Sequence, residues 1–175
     1  MTTDQDDLDF QHACSLVGEF LYFFATIEST MDAAIIKLFS LKEETADIIT
    51  ANMDFSRKVN VLKSALLDQL ELTDPLNKKT FDGTFSQIRE INDARLVVAH
   101  SIFEPSGDGV RFKRTVARDG LKKQNPEWSA LRFSNYKLQM VAMEHNLLAY
   151  VATLRPYHPS LDFSDPRNSQ YLGYL

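Results

Sequence analysis

The sequence predicts an all-α protein, an antiparallel up-and-down helix bundle with a small β-hairpin inserted before the last long helix. Three observations lead there: apolar residues recur at helical steps over several long stretches, one short segment alternates instead, and the connections between the helical stretches are brief. The first stripe is Phe20, Phe24, Ile27, Met31, Ala34 and Leu38, one face of a helix running from about Leu8 to Ser40. Ser40 and Glu43 match a capping box and restart a short helix through Ile48 and Ile49. Asp54 can cap the next helix, whose stripe of Phe55, Val59, Leu62, Leu66 and Leu70 ends near Thr73. Asp74 and Pro75 mark a further start, since a proline at the first helical position lacks a donor that would be unpaired there anyway. That helix carries Phe81, Phe85, Ile88 and Ile91 toward His100.

The pattern changes after His100. Ser106-Gly107-Asp108-Gly109 tolerates positive φ and marks a tight turn, and beyond it Val110, Phe112, Arg114 and Val116 roughly alternate. Residues 101–117 therefore read as a β-hairpin. A polar loop through Asn125-Pro126 leads to the last helix, with Tyr136, Met140, Met143, Leu147, Val151 and Leu154 on one face and its end at Arg155, before Pro156. Residues 1–155 form one domain in this reading. Residues 156–175, with three prolines and several aromatics, form an extended tail.

Composition narrows the function classes. At 175 residues a chain buries roughly 70% of its unfolded surface, and 44% hydrophobic with 25% charged residues is ordinary for a folded core. Cys14 is the single cysteine, so no intrachain disulfide and no cysteine-based zinc site can form, which points to a reducing, cytoplasmic setting. The acidic N-terminus precedes no long apolar run, so neither a signal peptide nor a membrane span is expected. No His/Asp/Glu grouping has metal-ligand spacing and no glycine-rich phosphate loop occurs, so no metal or other cofactor is expected. Cys14, near Leu16 and Val17, reads as a small core residue, and His145, in line with Val141 and Leu148, as a packing residue.

The informative stretch is Glu90 to His100. Four successive apolar residues, Leu96 to Ala99, predict deep burial, yet Arg95 continues the stripe four residues after Ile91 and three before Val98. A buried guanidinium needs a carboxylate, an opening to water or an anionic ligand, because an unpaired buried charge costs several kcal/mol. Glu28, on the edge of the first stripe, and Asp93 are the candidate partners. His100 ends the helix, where the dipole also favours a plain structural histidine. The net charge of −5 does not favour general nucleic-acid affinity, but residues 110–124 carry six cations, among them Arg111, Lys113, Arg114 and Arg118, against Asp119 alone. That local +5 follows His100 directly and leaves −10 for the rest, which makes this arm the candidate RNA-binding surface.

An Arg, four intervening residues and a His at the end of the third main helix, followed by a hairpin, resembles HEPN domains. Phe24-Ala25-Thr26-Ile27-Glu28 on the first helix and Met53-Asp54-Phe55 leading into a helix with Lys58 and Leu62 are similar to bacterial HEPN-like proteins, over roughly residues 8–155. The resemblance implies a metal-independent endoribonuclease or RNA-binding protein of the toxin–antitoxin or phage-defence kind, with RNA and an antitoxin protein as partners. His100 would move protons at a ribose 2′-hydroxyl and Arg95 would stabilise charge at phosphorus. Five residues set the two side chains about 140° apart around a helix. The implied site is therefore a composite cleft in a homodimer, the assembly HEPN proteins commonly form. The family usually places a polar residue directly after the arginine, and this chain has Leu96. A catalytically inactive HEPN-like dimer acting as a binding module is the alternative, and a purely structural Arg95 is a third reading.

Overall fold

The computed structural model describes residues 4–70, 75–116 and 122–154. Its elements are α1 (Asp4–Phe39), α2 (Glu43–Ala51), α3 (Phe55–Gln69), α4 (Pro75–Ala99), β1 (Ile102–Ser106), β2 (Gly109–Val116), β3 (Lys122–Gln124), β4 (Glu127–Trp128) and α5 (Ala130–Thr153). The protein is mostly helical, with a small antiparallel sheet before the last helix. Among the described residues no helix is long and apolar enough to cross a membrane, and no cluster of three or more His, Cys, Asp or Glu could hold a metal ion.

α1 is the spine. Its stripe from Ala13 to Leu38 is buried along the helix, and α3, α4, α5, β1 and β2 all pack against it. Paired levels give the helix senses. Phe24 meets Phe55 and Asp32 meets Lys58, so α1 and α3 run the same way. Glu19 meets Lys137 and Lys37 donates to the Val151 carbonyl, so α5 runs with α1 too. Lys63 meets Asp82 while Asn60 meets Arg89, which sets α4 against α3. Strict up-and-down alternation therefore fails between α1 and α3, because the short α2 returns the chain so that α3 starts again beside the middle of α1.

Local chemistry fixes the boundaries. Asp54 caps α3 by accepting from the Arg57 amide at 2.8 Å, as the sequence predicts. Pro75 opens α4, while α3 ends at Gln69 with Leu70 as its extended C-cap, earlier than the expected end near Thr73; Thr73 and the start residue Asp74 themselves lie outside the described residues. The capping box at Ser40 does not form. Ser40 takes φ 48°, its amide bonds to the Lys37 carbonyl and that of Leu41 to Ile36, a Schellman closure of α1, and the N-cap of α2 is Lys42. Leu41 packs against the core and supplies the apolar contact that draws the chain back. Helix α5 is capped by Ser129, which accepts from the Arg132 amide, and its end falls at Leu154; Arg155, the tail at 156–175 and Arg118 lie outside the described residues.

The sheet exceeds the expected hairpin. β1 and β2 pair from Ile102–Lys113 to Ser106–Gly109 around the two-residue turn Gly107-Asp108, where Gly107 has φ 59°. The segment expected as a polar loop instead supplies β3 and β4, both paired to the other edge of β2. β4 lies so close that a Cβ on Gly109 would stand 2.0 Å from the Trp128 carbonyl oxygen. Trp128 and Phe112 then enter an aromatic cluster with Phe20, Phe133 and Tyr136, at centroid separations of 5.0 to 6.4 Å. Burial of such rings stabilises by roughly 1.5–3 kcal/mol each, enough to fasten the sheet to α1 and α5. Cys14 and His145 are exposed, against expectation, because both sit on helix faces that no other element among the described residues covers.

Gly109→Ala should cost about 1–3 kcal/mol by overpacking against the β4 backbone. Urea denaturation checks this, and an unchanged midpoint would mean that β4 does not hold this position.

Candidate nucleic-acid interface

Arg95 turns toward α1 and is half-buried, with its guanidinium carbon 5.6 Å from the centre of the Phe24 ring, which in turn packs 4.7 Å from Phe55. Among the described residues no carboxylate lies within ion-pair distance of it. Cation–π attraction and the remaining access to water replace the expected acidic partner. The flanking Leu96 and Val97 are half-buried and Ala99 is exposed, so only Val98 of the four apolar residues is deeply enclosed. The helix end is covered on one side only, and that is why burial of Arg95 stays partial.

Glu28 is engaged elsewhere. The ammonium of Lys58, buried on α3, stands 3.1 Å from its Oε1. It also lies 2.8 Å and 3.0 Å from Oδ1 and Oδ2 of Asp32, with only the approach to Oδ2 having hydrogen-bond geometry. Burial pushes the Lys58 ammonium toward deprotonation, but its hydrogen bonds to Asp32 and Glu28 outweigh that and raise its pKa above 10.5. The ion triad is the centrepiece of the α1–α3 contact, and sequence reasoning missed it. The signal was present, for Lys58 lies three residues after Phe55 and four before Leu62, on the inward stripe, while Glu28 and Asp32 are one turn apart. Asp93, the other expected partner of Arg95, is exposed and lines a polar cleft of about 250 Å³ with Arg89, Asn60 and Asn92 between α3 and α4.

His100 lies one residue beyond α4 and is exposed. No hydrogen bond or ion pair joins it to Arg95 among the described residues; one side chain faces α1 and the other faces solvent. Within one chain the two expected catalytic groups therefore diverge, as their spacing predicts. Next to His100, the hydroxyl of Ser101 is enclosed without a hydrogen-bond partner among the described residues.

The basic arm is partly neutralised. On the hairpin face Arg111 is held by both Glu127 and Glu104, and Lys113 by Glu104. Hydrogen bonding to Lys113, with Arg111 adding to it, holds the Glu104 carboxyl below its usual pKa, and the bond to Glu127 raises that of Arg111. Two of the expected RNA-binding residues are thus occupied. Arg114 is half-buried and unpaired among the described residues, and across the sheet Thr115 pairs with Lys123, which is exposed and likewise unpaired. Arg114 and Lys123 line a cleft of about 350 Å³ with Ile102, Lys113, Thr115 and Asn125. Ile102 is two residues past His100, so the cleft opens at the end of α4. Lys123 was legible only as part of a charge run, since its place at the cleft that Arg114 also lines depends on β3, which has no apolar alternation.

Comparison of the chain with protein-family models, with curated proteins and with solved structures finds no match among any of them. The likeness to HEPN domains rests on the residues quoted for it.

Lys58→Met should destabilise by about 3 kcal/mol, because it strands two carboxylates, while adding Glu28→Gln and Asp32→Asn should recover most of that loss. Thermal melts of the single and triple variants decide it. The lysine's own contribution, since its pKa is raised on folding, is fully present below pH 10.5 as long as the two carboxylates are ionised, and fades as pH rises through the higher folded value. Arg95→Met should change stability by less than about 1 kcal/mol, given a half-buried cation–π contact and no ion pair among the described residues.

Proposed function

We propose that the chain binds RNA through its phosphate backbone at the cleft between β2 and β3, beside the end of α4. The observation that carries this reading is that Arg114 and Lys123 flank one water-accessible cleft without any carboxylate among the described residues to neutralise them. A guanidinium and an ammonium lining one cleft suit phosphate oxygens, and such interactions supply affinity without sequence choice. The surrounding protein is acidic, so binding is confined to this face and depends on salt. In this reading the protein is a HEPN-like, cytoplasmic RNA-binding module of the toxin–antitoxin or phage-defence type, with an antitoxin protein as a further partner.

A second reading, metal-independent cleavage, is favoured by the exposure of His100 next to that cleft. The imidazole is exposed two residues before Ile102 of the cleft lining, where a bound ribose would approach it. The guanidinium that would stabilise the transition state is Arg95 of a second copy, in a HEPN-like dimer that joins the two motifs. Without that arrangement the chain is a binding module only, in keeping with Leu96 where the family places a polar residue.

Fluorescence anisotropy with a labelled single-stranded RNA at about 100 mM salt tests the first reading. Arg114→Glu with Lys123→Glu should weaken binding at least 10-fold, and the slope of log affinity against log salt should flatten by about 0.7 for each phosphate no longer neutralised. Glu104→Gln should strengthen it several-fold by releasing Lys113 and part of Arg111. No change in the charge-reversal variant defeats the assignment of the cleft. For the second reading, RNA incubated with the protein in EDTA should be cut, and His100→Ala should abolish the product while leaving the melting temperature within about 2 °C; intact RNA with the native protein leaves only binding.

A further inference from the structure

Helix α5 has two apolar faces. One, with Phe133, Met140, Met143 and Leu147, is buried in the core. The other lies about half a turn away. Leu131, Leu138, His145 and Ala152 recur there every seven residues, with Ser134, Val141 and Leu148 three residues after the first three. Leu131, Leu138 and Leu148 are 68%, 66% and 49% exposed. None of these seven positions carries a fixed charge, over some 32 Å of helix at about 1.5 Å per residue. Scattered exposed leucines need no explanation, but a heptad line does, because this repeat is the seam by which helices pair. The sequence predicts that His145 is packed, and nothing within the described residues packs it.

We infer that this face of α5 pairs antiparallel with the same face of a second copy of the chain. In an antiparallel seam the first position of one heptad meets the fourth of the other. That register sets Leu131 against the partner's Leu148, Leu138 against the partner's Val141, and His145 against the partner's Ser134. The register is its own complement, as a two-fold axis requires. The flanking charges agree. Lys137 and Glu144 occupy equivalent edge positions one heptad apart, and the same register brings Lys137 near the partner's Glu144 twice by symmetry. Lys137 also pairs with Glu19 on α1 and lies over the Phe23 ring, so the partner's Glu144 shares an ammonium that is already bonded within the chain.

The size of the seam can be compared with what a specific interface buries. Half the circumference of a helix about 10 Å wide, taken over 32 Å, covers on the order of 500 Å² per copy, or about 1,000 Å² in total. This reaches the lower bound of specific interfaces and fits a weak, concentration-dependent dimer. The inference is independent of RNA binding and survives if that reading fails.

Sedimentation velocity of the full chain from about 1 to 200 µM should show a monomer–dimer equilibrium in that range. Leu138→Glu with Leu148→Glu should weaken it at least 30-fold while leaving the helical circular-dichroism spectrum of the monomer unchanged. Glu144→Lys should weaken dimerisation several-fold by placing like charges together. Strand sense is tested in a Cys14→Ser background, where chains bearing Leu131→Cys and Leu148→Cys should cross-link to each other more than either does to itself. A monomer at 200 µM, a dimer indifferent to the double glutamate variant, or preferential self-linking of Leu131→Cys overturns the proposal.

Discussion

Everything in this protein depends on covering the apolar face of α1. From Ala13 to Leu38 that face is continuous and buried, and three other long helices and the sheet each contribute a strip of its cover. An uncovered helix of this length would expose its stripe to water at roughly 25 cal/mol for each Å². Helices α3 and α5 run with α1 and α4 runs against α3, because short α2 and the sheet act as return segments. The sheet is fastened less by its own few pairs than by Phe112 and Trp128 entering the α1–α5 seam beside Phe20.

Charge is handled in two ways. On the bundle side, Lys58 is buried between Glu28 and Asp32, so its charge is internal and takes no part in binding. On the hairpin side, Glu104 and Glu127 restrain Arg111 and Lys113, leaving Arg114 and Lys123 at the cleft. Two of the cations in that +5 run are thus neutralised within the sheet. The carboxylates responsible come from β1 and β4, strands on either side of the run.

The long stripes, the Asp54 cap, the proline start of α4 and the Gly107-Asp108 turn were legible because each is decided by residues within a few positions. Partnerships across the fold were not. Glu28 could be read as an acid near an apolar seam, but the choice between Arg95 and Lys58 depends on how α3 and α4 sit around α1. β3 and β4 escaped because Lys122-Lys123-Gln124 and Glu127-Trp128 are too short and polar to show a period of two. Ser40 misled for a physical reason, since the burial of Leu41 outweighed a side-chain cap. Of the expected site, Arg95 is less enclosed than its apolar neighbours predicted and lacks the expected carboxylate among the described residues, whereas the place of Lys123 required the sheet.

The partnership of α1 with α5 spans most of the chain, for Lys37 bonds to the carbonyl of Val151, 114 residues later. Pairings of such sequence separation form late and slow the search for the native state. During synthesis the first helix emerges long before its final cover exists, and its aromatic stripe stays open until the last helix leaves the ribosome. A nascent chain of this design is thus most exposed to aggregation in the interval before α5 arrives.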